Sequence, residues 1–564
     1  MIEMTPPGSE PTSRTFERRN DWQTGWQMPP GVSGDASLLR FRPSSIKGPE
    51  SGCPQRLALK VRPGLLWPAQ PDRPAQRMET YGMGPFYRVL DSIEFDGMSP
   101  EAAVARWQER SKRPFHPALI RWTEHAVQHF RSAMARYRSG RTPLKPVSRD
   151  WIRERPPTEN GTVAGEELAT GRRYEGHGIR ELWIPRPDTV EDRERHEGEI
   201  AVAAAVLAEG RPLLNRLWRG TRAILGRYER PDRVRIIEVG CVDGSLNVLF
   251  DDTPEAAIVK YRRDAEESLR DAAVGNDHRP GYDCVTCPLL ATCPAVPSHP
   301  GLLGIHDDSK PLRSWSLTTV REHRTCGPIP HFRELRLPSD GGAKESEATL
   351  RGRAVHDWIE KRHRRSPLQP CRGDDVPDPQ ADQGQVMLPN DGFQTRLGIQ
   401  MIGDHSLVCP LRGADEHARA LPEHVVVVYD PAANTVVIAK IDLLYRVKGE
   451  WRFRETKTSR YLNEGDLLKR YPQISLAVLL SAEGLLPGGP GGCRVELERL
   501  TANGPVLTEF DVHDPDLVAD AREVVRSHVH DWHGDETLAT KPGTACAECG
   551  FTRWCSDAVP GAAS

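Results

Sequence analysis

A chain of 564 residues can bury the cores of about two to four domains, and 76 Lys+Arg against 79 Asp+Glu leave a formal net charge of −3. That balance excludes a global cationic field for nucleic acid, so any basic surface has to be local. No apolar run approaches the roughly 20 residues of a membrane span, and Met1-Ile2-Glu3-Met4-Thr5-Pro6 opens no signal-peptide core; we therefore expect a cytoplasmic protein with no membrane partner, whose twelve cysteines are metal ligands or free thiols rather than disulfides.

Residues 1–40 are rich in Pro, Gly, Ser and charge and read as a disordered N-terminal segment. A first domain is expected over residues 41–293. It opens with Ser44-Ser45-Ile46 and Cys53-Pro54, followed by a glycine-led helix through Gly84 and Arg88. Between Arg106 and Arg155, Arg and Lys are interleaved with Trp107, Phe115, Trp122, Phe130, Tyr137 and Trp151, which suits a solvated helical face at least as well as a nucleic-acid surface. Arg180-Glu181-Leu182-Trp183 precedes an apolar helix over residues 199–210, strands follow near Arg235 and Gly244, and the domain closes on Pro280-Gly281 and Cys284-x2-Cys287-x5-Cys293. Residues 294–312, led by Pro294, Pro297 and Pro300, read as a linker.

A second domain is expected over residues 313–556, with 557–564 as a tail. Ser316-Leu317, Cys326-Gly327 and a helix through Gly352 and His356 come first; residues 366–385, Pro- and Asp-rich without periodicity, read as a surface insertion. Then Ile441-Asp442-Leu443-Leu444-Tyr445 and Trp451-Arg452-Phe453-Arg454-Glu455-Thr456-Lys457, separated by a short charged turn, predict a β-hairpin whose alternation puts Glu455 and Lys457 on one face. Asp442 and Glu455 are hard oxygen ligands suited to Mg2+ or Mn2+, and an ammonium beside them can orient an attacking water and offset phosphate charge. Taken alone, the pattern equally describes charges on an open edge hairpin. A Gln473-led helix, strands near Arg494 and Gly504, and Cys546-x2-Cys549-x5-Cys555 complete the order.

The two halves repeat each other. Both cysteine trios share their spacing and a preceding Pro-Gly, Pro280-Gly281 and Pro542-Gly543, and the apolar helices match from Glu199 and from Gln473. With those helices aligned without a gap, Arg180-Glu181-Leu182-Trp183 falls on Arg454-Glu455-Thr456-Lys457. Each half thus offers one distant cysteine and a closing trio: Cys53 with Cys284, Cys287 and Cys293, and Cys326 with Cys546, Cys549 and Cys555. Four thiolates can close a zinc site or hold a 4Fe-4S cluster. Cys241, Cys371, Cys409 and Cys493 do not repeat and read as small buried apolar residues.

The order in residues 313–556 resembles the RecB-type PD-(D/E)XK nucleases with an iron-sulfur cluster, the group that includes the AddB nuclease domain and the CRISPR adaptation exonucleases. The resemblance implies an α/β protein of two tandem restriction-endonuclease-like domains, each a mixed sheet flanked by helices and stapled by four cysteines. It implies His356, Asp442 and Glu455 as Mg2+ or Mn2+ ligands, Lys457 as the catalytic lysine, Gln473 as an organiser, and a 4Fe-4S cluster on each quartet, with zinc as runner-up. Where the family usually has glycine before the Ile-Asp pair and tyrosine four residues after the glutamine, this chain has Lys440 and Ala477. The first half has Arg88 for the histidine, Trp183 for the lysine and Glu199 for the glutamine; only Glu181 survives. It therefore reads as a degenerate copy, in which Arg88 and Trp183 either contact single-stranded DNA or, respectively, pair with Glu181 and fill the core. The expected activity is a metal-dependent DNA nuclease, an exonuclease on single-stranded or frayed ends in repair, recombination or defence. The alternative is a non-catalytic nucleic-acid-binding or assembly subunit. No Walker motif is present, so unwinding would need a helicase or defence-complex partner.

Overall fold

The computed structural model describes residues 25–46, 52–68, 78–155, 164–191, 193–218, 220–339, 346–377, 392–462 and 464–559. In the second half, strands run in the order Arg313–Trp315, Thr435–Val447, Glu450–Thr458, Cys493–Thr501 and Gly504–Phe510, with Arg419–Asp430 also paired to Thr435–Val447. Lys448 and Gly449 have φ of 52° and 84°. Two successive positive φ values make a two-residue turn whose twist matches that of the strands it joins, so the expected hairpin forms between Thr435–Val447 and Glu450–Thr458. The helix Pro472–Ala482 then carries the chain across, and Cys493–Thr501 joins parallel to Glu450–Thr458. Ile474, Val478, Leu479 and Leu480 of that helix are fully buried. It is apolar all round because the sheet covers one side and the helix Pro515–Gly534 the other.

The first half runs the same pairing. His177 and Gly178, with φ of 52° and 74°, join Arg172–Gly176 to Ile179–Arg186. The helix Glu197–Glu209 follows, then Arg233–Gly240 parallel to Ile179–Arg186 and Leu246–Asp252 antiparallel to it. A second sheet orders Leu38–Phe41, Ala164–Leu168, Trp151–Arg155 and Arg211–Pro212.

Four sequence expectations change. Residues 1–24 lie outside those described, but the remainder of the segment expected to be disordered is folded: Leu38 and Leu39 are buried in a strand paired with Ala164–Leu168. The 294–312 linker is docked: the Tyr429 N–H donates to the Pro297 carbonyl at 2.9 Å, and the Asp430 carboxylate accepts the N–H groups of Gly301 and Leu303 at 2.8 and 2.9 Å. A carboxylate taking two backbone donors pins a proline-rich stretch that has no period of its own. Residues 378–385 of the expected insertion lie outside those described, yet Cys371 before them is buried. In the basic segment, Trp107, Trp122, Phe130 and Trp151 are core rather than surface.

The halves dock reciprocally. Cys284, Leu290 and Val296 of the first pack on Val427, Tyr429 and Ile438 of the second, while Phe551 and Trp554 of the second join Phe86, Trp122 and Phe130 of the first. Among the described residues, no helix is long and apolar enough to cross a membrane.

Candidate active site

The hairpin strands pair from Val447↔Glu450 to Leu443↔Arg454 and then part. At this fork the Asp442 side chain takes over from the backbone ladder, its Oδ2 accepting the Thr456 N–H at 2.8 Å. Alternation along Glu450–Thr458 turns Glu455 and Lys457 together, and the Lys457 Nζ lies 2.5 Å from Glu455 Oε1. His356, on the helix Glu347–His363, places Nδ1 3.8 Å from Asp442 Oδ2. Glu455 and Gln473 line a cleft of about 750 Å³ with Ser316, Lys440, Ala477 and, from the first half, Tyr282. Thus Asp442, Glu455, Lys457 and His356 gather around the fork, with Gln473 on the cleft wall beside Glu455.

Burial raises the pKa of Glu455, and the nearby Asp442 carboxylate raises it further. Burial also opposes the Lys457 charge, but Glu455 and Asp442 outweigh it and hold that ammonium above the ordinary lysine range. Two carboxylates that repel each other, with one lysine paired to Glu455, are short of positive charge. A hard divalent cation fits this donor set of two carboxylates and an imidazole, and Asp442, Glu455 and His356 are the residues that would hold it.

Cys326, Cys546, Cys549 and Cys555 line one cavity, and Cys53, Cys284, Cys287 and Cys293 another. Backbone N–H groups of Lys541, Arg279 and Gly281 donate to Cys326, Cys53 and Cys284 at 3.3, 3.5 and 3.4 Å. Burial pushes the Cys287 thiol up to about 11 and also raises Cys284, Cys293, Cys326 and Cys549, so a cation is needed to keep these sulfurs as thiolates.

The first-half correspondence needs correcting. Trp183 is fully buried against Phe130 and Tyr137 on the face turned away from the helix Glu197–Glu209, whereas Glu455 faces the matching helix Pro472–Ala482. Counting from the two hairpin turns, Glu455 corresponds to Ile184, Lys457 to Arg186 and Asp442 to Gly171. Glu181 sits between Arg138 at 3.4 Å and Arg235 at 3.8 Å, and Arg88 is exposed rather than paired with it. Arg186, Glu238, Arg195 and Glu199 instead form an ion-pair chain at 3.7, 2.7 and 2.7 Å. The gapless alignment slipped because the link from strand to helix spans residues 187–196 in one half and 459–471 in the other, with the short helix Leu467–Arg470 added.

Cys371 and Cys409, read as small apolar residues, are buried beside His363 and His405. The His405-x3-Cys409 spacing was the available signal, and a search for repeated cysteines passes over it. No curated protein matches the chain. The family model of the PD-(D/E)XK nuclease superfamily matches residues 314–556, the part of the chain that carries the Asp442 fork.

Proposed function

We propose that the second half is a divalent-cation-dependent deoxyribonuclease of RecB type, an exonuclease acting on single-stranded or frayed DNA ends. The observation that carries this is the convergence of Asp442, Glu455 and Lys457 at the strand fork, where Glu455 lines a cleft. Mg2+ or Mn2+ bound there supplies Lewis-acid polarisation of a phosphate oxygen and a lowered pKa for water. Asp442 and Glu455 bring the negative charge that attracts it, and His356 orients beside Asp442. The Lys457 ammonium, held protonated, donates to the attacking water and offsets charge developing on the phosphate. Gln473 positions substrate along the cleft wall.

Each cysteine quartet holds a 4Fe-4S cluster in this reading, with zinc as runner-up; the gathering of all four cysteines of each quartet around one cavity and the N–H groups aimed at the sulfurs support it. The recurrence of hairpin, helix, parallel strand and antiparallel strand supports a tandem duplication whose first copy lost its chemistry at Gly171, Ile184 and Arg186. Unwinding falls to a helicase or defence-complex partner.

The test is cleavage of end-labelled single- and double-stranded DNA by anaerobically purified full-length protein with Mg2+, Mn2+ or EDTA. Lys457→Ala should slow cleavage by about 100-fold or more, the cost of losing one transition-state donor, with DNA affinity nearly intact. A variant that cuts at the wild-type rate would remove Lys457 from the reaction, and wild-type cutting that EDTA leaves untouched would remove the cation.

A further inference from the structure

We propose that His363, Cys371, His405 and Cys409 hold a zinc ion in a structural site separate from the two cysteine quartets and from the cleft. Among the described residues these four are the one group of three or more Cys, His, Asp or Glu whose ligand atoms all lie within 4.8 Å of one another, and all four are buried. Two of the contacts among them have tetrahedral lengths. With Zn–N near 2.0–2.1 Å and Zn–S near 2.3 Å, tetrahedral edges are about 3.3 Å between two nitrogens and about 3.6 Å between nitrogen and sulfur. His363 Nε2 stands 3.4 Å from His405 Nε2 and 3.7 Å from Cys409 Sγ.

The surroundings fix the ligands as a metal requires. His405 Nδ1 lies 2.7 Å from Glu498 Oε1; with the carboxylate as acceptor, Nδ1 carries the proton and Nε2 turns its lone pair to the cluster. The Cys371 N–H donates to Cys409 Sγ at 3.3 Å, which favours a thiolate. Two imidazole nitrogens and two sulfurs sealed from water would otherwise be buried polar groups with poor partners. His363 closes the helix Glu347–His363 and Cys409 follows the helix Gly392–Val408, so one ion would tie both helices and the segment between them to the Glu498 strand. Glu498 Oε2 also accepts from Thr456 Oγ1 at 3.2 Å, and the Thr456 N–H is the donor on Asp442, so the site braces the fork without sharing a ligand with it.

Metal analysis of the full-length protein, purified reduced and without chelator, should find about one zinc per chain that dialysis does not remove. Cys371→Ser/Cys409→Ser should lose that zinc and keep its iron, whereas Cys546→Ser/Cys549→Ser should keep the zinc. An unchanged zinc content in the first variant overturns the proposal, as does a Cys371–Cys409 disulfide found by mass spectrometry after thiols are trapped. If that variant does not fold, zinc-edge X-ray absorption on the wild type decides: a shell containing nitrogen at about 2.0 Å and sulfur at about 2.3 Å supports the site, and a shell of sulfur alone, or no zinc, rejects it. None of these readouts depends on cleavage, so the zinc site and the nuclease assignment can fail separately.

Discussion

Glu455 shows how a residue proposed to hold the cation can be costly to the fold. Its carboxyl is pushed up to about 7, first by burial and then by Asp442. A folded-state pKa above the unfolded one means that the folded protein holds the proton more tightly, so this stability is complete below the ordinary carboxylate pKa and is lost as pH rises through about 7. The term is on the order of 3 kcal/mol. Calorimetry of EDTA-treated protein should therefore find a Tm lower at pH 8 than at pH 5 by a few degrees, with Mg2+ restoring much of the loss. Glu455→Gln removes the repulsion from Asp442 and should flatten that slope while abolishing cleavage. A slope unchanged by Glu455→Gln would assign the pH dependence to another group.

At the scale of elements, the hairpin, the apolar helix and both closing trios were legible because each rests on a local rule: alternation, a short turn, a fixed spacing. The first-half register was not, because strands buried on both faces carry apolar residues at odd and even positions alike, and nothing in Arg180-Glu181-Leu182-Trp183 says which way Glu181 points. Loop length decides it, and loop length differs between the halves. The zinc candidate was hidden for another reason: His363 and Cys371 meet His405 and Cys409 only after two helices pack. If Glu181 is a structural anion between Arg138 and Arg235, Glu181→Gln should leave cleavage at the wild-type rate and lower stability by about 1–3 kcal/mol, the cost of uncovering buried cations. A cleavage defect at unchanged Tm would return Glu181 to the chemistry.

For the whole molecule, the reciprocal docking of the trios means that each half completes the other. Trp122 and Trp554 meet edge to face across the two halves at 5.1 Å, and Arg121 donates to the Cys555 carbonyl at 2.9 Å. In the opposite sense, the turn Tyr282–Thr286, which contains Cys284, lies against the strands Arg313–Trp315 and Thr435–Val447 and brings Tyr282 into the cleft that holds Glu455 and Gln473. Tyr282 is 63% exposed, so its ring is not there to fill a core. An exposed aromatic on the wall of a nuclease cleft can stack on an unpaired base, a contact of about 1–3 kcal/mol that tolerates any sequence. In the proposed nuclease, the first half would act on the reaction by presenting this ring, in place of the buried Trp183. Tyr282→Ala should raise KM for single-stranded DNA roughly tenfold with kcat nearly unchanged, while Tyr282→Phe keeps the ring and the wild-type KM. Because the turn is anchored at Cys284, Cys284→Ser should reproduce the KM increase, whereas a fall in kcat with KM unchanged in Tyr282→Ala would place Tyr282 in the chemical step instead of the grip on substrate.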